Sequence, residues 1–521
     1  MQGLDLVLIV LYFVIVLVIG FHFARRQSGT EDYFLAGRRL GWVVIGLSLF
    51  ASNISSTTLV GLSGAAYSTG ISISNYEWMA AVVLVFFAIF VIPYYLSSRV
   101  YTIPEFLERR FRPGCRYYFS AITLITNIFV DTAGTLFAGA LVVTHFFPAL
   151  GLLETAVVLA LVAGLYTAAG GLAAVVYTDT IQAVMILVGA TAVTFLAYER
   201  VGSWSAVMAR TPPEMMSVIR PLDDATMPWL GLLVGVPLLG FYFWCTNQFI
   251  VQRVLGARNI HQARWGVLFA GLLKLPVLFI MVFPGVMARV LYPGLARPDL
   301  VFPTLISNLL PVGLKGLMLA GLLAAIMSSI DSTLNSASTL VTMDFVRKWK
   351  PRAGDETLAR IGRISTVVIM FISAAWTPVV ARASTLFEYL QSALAYLVPQ
   401  VVAIFFLGLF WKRATGTGAL VGLLTGHALA VVVLILQRFS WFPQIHFLIL
   451  AGLFFVVTCV VVAMVSFWSE APSREQIDDY VYSRKSVAAL AGAERFPWYK
   501  DYRWQSAALL FLTGCLVWTY W

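Results

Sequence analysis

Stretches of about 20 apolar residues recur from one end of this chain to the other, and that alone leaves few ways to fold. A segment of that length crosses hydrocarbon as a helix, because lipid offers no partner to an unpaired backbone group. We place such spans at 4–22, 40–69, 76–97, 117–146, 152–170, 173–197, 228–250, 265–289, 313–345, 359–380, 384–410, 416–436, 446–468 and 504–520. This predicts an all-α polytopic membrane protein of about 14 transmembrane helices. Composition agrees: 60% of the 521 residues are hydrophobic and 12% charged, about half the charge of a soluble protein. The first span has no basic stretch before it and no small-residue cleavage site, so it reads as a retained helix.

Charge placement tests the count. Fourteen spans put both termini on one side of a cell (plasma) membrane, which we take as the outside. Most of the 35 Lys and Arg residues then fall in inward loops, as Arg25, Arg26, Arg38 and Arg39, Arg109 to Arg116, and Arg347 to Arg352 do. That is the positive-inside pattern, and one miscounted helix would scramble it. The net charge of +10 is thus explained by topology, with no call for nucleic acid. Cys115, Cys245, Cys459 and Cys515 show no CxxC spacing, so neither a zinc site nor a disulfide framework is indicated. The sequence has no Walker A loop and no HExxH helix. Work done by such a chain would draw on an ion gradient.

Residues 321–344 carry the strongest functional signal. Ala325, Ser328, Ser329 and Ser332 fall at i, i+3, i+4 and i+7 and share one helix face. Hydroxyls and freed carbonyls are hard oxygen donors that suit a small alkali cation. Asp331 lies among them, and a carboxylate at membrane depth marks an ion or proton pathway. The bland reading is close helix packing through small residues.

Two other spans look interrupted. Ala51–Gly61 is crowded with Ser and Thr, and Gly240–Gln248 runs from a glycine through four aromatics to two amides. Such breaks are tolerated only where protein or a water-filled cavity covers them, and they point to a binding site in a broken-helix transporter. They lie five spans apart, the spacing of a five-plus-five inverted repeat. Membrane-depth Glu77, Lys274, Gln391 and Trp244 form a kit for a neutral polyhydroxylated ligand, with hydrogen bonds at its edge and an indole on its face. The alternative for Glu77 and Lys274 is a buried ion pair that only locks helices. Asp131 is mid-span, and Asp179 near a helix start could be a cap.

These stretches carry a resemblance. Ala51-Ser52-Asn53-Ile54, Tyr76-Glu77-Trp78, Gly170 to Gln182, Phe243 to Arg253, Met327-Ser328-Ser329, Asn335 to Asp344 and Phe405 to Arg413 resemble the sodium:solute symporter family, in its sodium/glucose cotransporter branch, over roughly residues 5–470. The resemblance implies a LeuT-type fold with extra helices and alternating access. The expected organisation is an extra N-terminal helix and inward loop at 1–39. A transport core follows at 40–410, with repeats 40–197 and 228–410. C-terminal helices with a cytoplasmic linker at 469–503 fill 411–521.

It further implies Na+ held by carbonyls of Ala51, Ile54 and Ala325 and by the hydroxyls of Ser328 and Ser329. Glu77, Lys274 and Gln391 match positions that hydrogen-bond sugar, Trp244 the aromatic floor and Phe243 the inner gate. Three departures from the sugar-branch pattern stand out: Phe243 lacks the usual tyrosine hydroxyl, Thr58 replaces a longer polar side chain, and Gly240 offers no side chain. Asp331, with Asp179 and Ser332, suggests a second sodium site. The expected activity is sodium-coupled import of a sugar or sugar-like polyol, with no catalytic residues. The alternatives are sodium symport of inositol, an amino acid or a carboxylate, and a polytopic membrane enzyme. Glu77 disfavours anions, and no extramembrane loop is long enough to hold an enzyme's donor substrate.

Overall fold

The computed structural model describes residues 3–24, 35–98, 100, 102–166, 172–483 and 496–521. Arg25 and Arg26, the end of the span expected at 152–170, Gly170 and Gly171 of the family-like motif, and the middle of the 469–503 linker lie outside the described residues. Among the described residues every element is helical, apart from two single-residue bridges, Leu40 to Ala257 and Arg220 to Pro228.

Eight helices are long and apolar enough to cross a bilayer, and three bent pairs raise that number to eleven. The other three expected spans coincide with helices Gly3–Ala24, Leu152–Tyr166 and Tyr502–Thr519. Length and composition therefore establish up to eleven crossings among the described residues, not fourteen.

Ten helices position the site: α1 (Gly3–Ala24), α2 (Trp42–Asn53), α3 (Ser56–Thr69), α4 (Asn75–Phe86), α5 (Ala133–Phe146), α6 (Leu172–Val201), α7 (Gln248–Leu255), α8 (Ile260–Lys274), α9 (Leu314–Thr339) and α10 (Leu386–Leu397). The interruptions expected from sequence are present. α2 and α3 meet at a bend of 55°, where Ile54 (φ −81°, ψ 66°) and Ser55 (φ −82°, ψ 179°) leave helical geometry. In the second element a π-helical turn, Tyr242–Thr246, runs into Asn247 in extended conformation, and Asn247 caps α7.

α2 packs against α8 through glycine. A Cβ on Gly46 would stand 2.9 Å from the Gly266 carbonyl oxygen, and one on Gly266 would stand 3.0 Å from that of Trp42. Small residues let membrane helices approach this closely. The contact brings the broken end of α2 beside Lys274, the last residue of α8.

Loops assigned to the same side of the membrane touch one another. On the side taken as inward, Arg38 donates to the Leu255 carbonyl (3.3 Å), Lys348 to Glu108 (3.0 Å) and Arg110 to the Gly408 carbonyl (2.9 Å). On the other side, Gly313 N–H donates to Asp5 (2.8 Å), Arg297 to the Ala381 carbonyl (2.6 Å) and Val218 N–H to the Tyr520 carbonyl (2.9 Å). The alternation of loops read from the sequence is consistent with these contacts.

Candidate functional site

The two breaks, the serine face of α9 and α10 enclose a cavity of about 140 Å³.

The cation candidates come first. Ala51, Ala325, Ser328, Ser329 and Ser332 line the cavity, and Ile54, fully buried, sits just behind its wall. The helical ladder of α2 ends with Ile54 N–H on the Phe50 carbonyl (2.8 Å), and the next turn runs from Thr58 N–H to the Ser55 carbonyl (3.1 Å). Among the described residues no ladder bond therefore closes onto the Ala51 or Ile54 carbonyl, and both are left as oxygen donors at a helix C-terminus, where the dipole favours positive charge. Ser328 and Ser329 lie on α9 along the same wall, so the arrangement offers hard oxygens and no soft ligand. Among the described residues no three His, Cys, Asp or Glu side chains cluster as a metal site. A sodium site here would be built from carbonyls and hydroxyls.

Asp179 lies two turns inside α6, so it is not the helix cap that its sequence position allowed. It lines the cavity at 2% exposure. One carboxylate oxygen accepts from Ser48 (2.8 Å), Ser52 (3.3 Å) and Arg253 (2.9 Å), and the other from Ser328 (3.0 Å). The counter-charge to Asp179 is thus the Arg253 guanidinium, itself 2% exposed. Asp331 is buried on α9 but is not part of the cavity wall. The structure brings Asp179 and Ser332 to one wall and leaves Asp331 off it.

The solute candidates share the same cavity. Thr58, Glu77, Gly240, Phe243, Trp244 and Gln391 line the cavity. Lys274, fully buried, stands behind Glu77, donating to its carboxylate at 2.6 Å and also to the Asn53 side-chain oxygen. Its ammonium lies 5.4 Å from the Trp244 ring centre and 5.5 Å from that of Phe50, within reach of a cation–π contact. Phe243 packs edge-on to Trp244 at 5.1 Å. Thr58 spends its hydroxyl proton on the Asn53 carbonyl (2.5 Å). At Gly240 a side chain would meet Val83 at 3.2 Å, so a larger residue would crowd α4.

Three participants escaped the sequence reading. Arg253 and Asn53 lie in the family-like motifs, but their partners are far off in sequence, and only the fold pairs them. Asp131 was noted as mid-span and given no role, yet it lines the cavity.

A model of the sodium:solute symporter family matches residues 33–426. The human sodium/myo-inositol cotransporter 2 is 36% identical over 91% of this chain and 78% of its own length. The Ovis aries sodium/glucose cotransporter 1 is 35% identical over 89% of this chain and 79% of its own. A Na+-coupled sialic acid symporter solved in a substrate-bound outward-open state superposes with a TM-score of 0.77 at 21% identity, covering 91% of this chain and 99% of that one. The last likeness shows the fold alone, that of LeuT-type sodium symporters.

Proposed function

The chain belongs to the sodium:solute symporter family, and from that premise we propose that it imports a sugar or a cyclic polyol together with sodium. It is a multi-pass membrane transporter and not an enzyme. The observation that carries the reading is one cavity with two chemistries. Freed carbonyls and serine hydroxyls line it together with a carboxylate, an amide and an indole.

Geometry suggests how the two solutes are coupled. Na+ at Ala51, Ile54, Ala325, Ser328 and Ser329 would join the broken end of α2 to α9. Asn53 sits within that break, and its side chain receives Lys274, which pairs with Glu77. Fixing the break therefore fixes the acceptor that orients the solute-binding pair. Linkage makes this reciprocal, so bound solute would tighten sodium by the same factor.

Glu77, Lys274 and Gln391 are assigned to hydrogen bonds with the solute, Trp244 to its face, and Phe243 to the inner gate. Thr58 and Gly240 shape the wall. We assign repeats 40–197 and 228–410 to the transport core, 1–39 to an added N-terminal helix and loop, and 411–521 to the C-terminal helices. Both termini are placed outside the cell membrane, because the basic loops that meet one another then face inward. The second sodium expected at Asp179, Asp331 and Ser332 has weaker support, since Arg253 already neutralises Asp179. Asp179 with Arg253 is read as a tie between α6, α2 and α7.

Uptake into proteoliposomes of labelled hexoses, inositols and amino acids, with and without an inward sodium gradient, tests the proposal. The expected result is gradient-driven accumulation of a hexose or inositol. Accumulation of an amino acid alone, or uptake indifferent to sodium, would overturn it.

A further inference from the structure

The cavity wall carries three carboxylates, and two of them already have a counter-charge. Glu77 is paired with Lys274 and Asp179 with Arg253. Asp131 differs: among the described residues no hydrogen bond or ion pair reaches its carboxylate. The Thr135 hydroxyl one turn on donates to the Asp131 backbone carbonyl (2.7 Å), leaving the side chain bare. A carboxylate facing a cavity at membrane depth is costly until something donates to it.

Its neighbours fix where it faces. Asp131 belongs to a π-helical turn, Thr126–Thr132, that leads into α5. Such turns are frequent at functional sites. The Tyr389 hydroxyl of α10 donates to the Phe129 carbonyl (2.7 Å). Gly134, one turn past Asp131, packs so close to α10 that a Cβ there would stand 2.8 Å from Leu390 Cδ2, next in sequence to Gln391. On the other flank Thr132 and Thr333 of α9 share a hydroxyl bond of 2.9 Å. Asp131 thus enters the cavity between the helix that carries Gln391 and the serine helix.

We propose that Asp131 is a further specificity-determining residue of the solute site, its carboxylate accepting one or two hydroxyls of the bound polyol beside the Gln391 amide. The inference rests on the sugar or polyol reading above. An ionised carboxylate is acceptor-only, with about four lone-pair positions, so it selects a ligand rich in hydroxyl donors and repels an acid. Glu77 shares its capacity with Lys274. Asp131 has its full capacity to offer, which makes it the strongest hydroxyl acceptor on the wall. A site built to bond a hydroxyl also rejects the analogue that lacks it.

The test uses the full-length wild type, Asp131→Asn and Asp131→Ala in proteoliposomes, with the hexose or inositol that the wild type accumulates and its series of monodeoxy analogues. The expected result is a KM for the parent solute raised roughly 5- to 150-fold in Asp131→Ala, the effect of an unmade buried bond, with half-maximal sodium unchanged. At one hydroxyl position the variant should handle parent and deoxy analogue alike, while the wild type separates them. Asp131→Asn keeps an acceptor and should fall between, which carries the test if the alanine variant does not fold. Unchanged discrimination at every hydroxyl would overturn the proposal, as would a shifted sodium dependence with solute preference intact, which would make Asp131 a counter-charge for the cation. A wild type that accumulates neither hexose nor inositol would instead defeat the solute reading itself, and this assignment with it.

Discussion

Lys274 is fully buried and Glu77 is 6% exposed, with 2.6 Å between ammonium and carboxylate. At an effective dielectric near 20 their attraction is about 6 kcal/mol. Taking each ion out of water costs several kcal/mol, so the pair as a whole contributes little net stability. Breaking it is another matter. Lys274→Met leaves Glu77 uncompensated and should destabilise the fold by about 3–5 kcal/mol, and Glu77→Gln should do the same through a stranded ammonium. The double variant removes both charges, so most of that loss should return as a coupling energy. Thermal unfolding of the four proteins in detergent measures the cycle. Uptake separates the two roles: a pair that only locks helices predicts near-normal transport in the stable double variant. A pair that grips the solute predicts a restored fold with solute binding weakened by about 1–3 kcal/mol, roughly 5- to 150-fold in KM. A stable double variant with wild-type KM would refute the solute-binding argument. Strictly additive single losses would refute the pairing.

Ser329→Ala should raise the sodium concentration for half-maximal uptake while leaving the unfolding temperature in place; sodium dependence like wild type would remove Ser329 from the cation site. Gln391→Ala should weaken solute binding by about 1–3 kcal/mol, read as KM at saturating sodium, and a normal KM would move the solute elsewhere. Asp331→Ala should leave a one-ion sodium response if a second cation uses that carboxylate, whereas Asp331→Asn indistinguishable from wild type at every sodium concentration would dismiss the second site. For acid stability, burial pushes Glu108 up, but hydrogen bonds and charges from Arg116 and Lys348 outweigh it, and its carboxyl ends below the ordinary value of 4.5. Its contribution is therefore complete above that value and is lost as pH falls through the lowered one. Glu108→Gln should flatten the acid limb of unfolding temperature against pH, and an unaltered limb would assign that loss to other groups.

The sequence made the membrane and both helix breaks legible because each is a local property. Hydropathy runs over single segments, and a cluster of Ser, Thr, Gly and amides weakens a helix wherever it falls. The number of crossings is less local, because hydropathy alone does not say how a short or mixed helix sits in lipid.

Pairings were the hidden part. Nothing in residues 170–182 or 243–253 says that Asp179 will spend its charge on Arg253, 74 positions away, so a carboxylate near other carboxylates looked like a second cation site. The same blindness hid Asn53, whose partner Lys274 lies 221 positions on. A spacing argument sees which residues share a helix face, but charge compensation is settled between helices. That is also why Asp131 read as an ordinary mid-span acid. Its significance comes only from the two ion pairs beside it, which leave it the uncompensated carboxylate on the cavity wall.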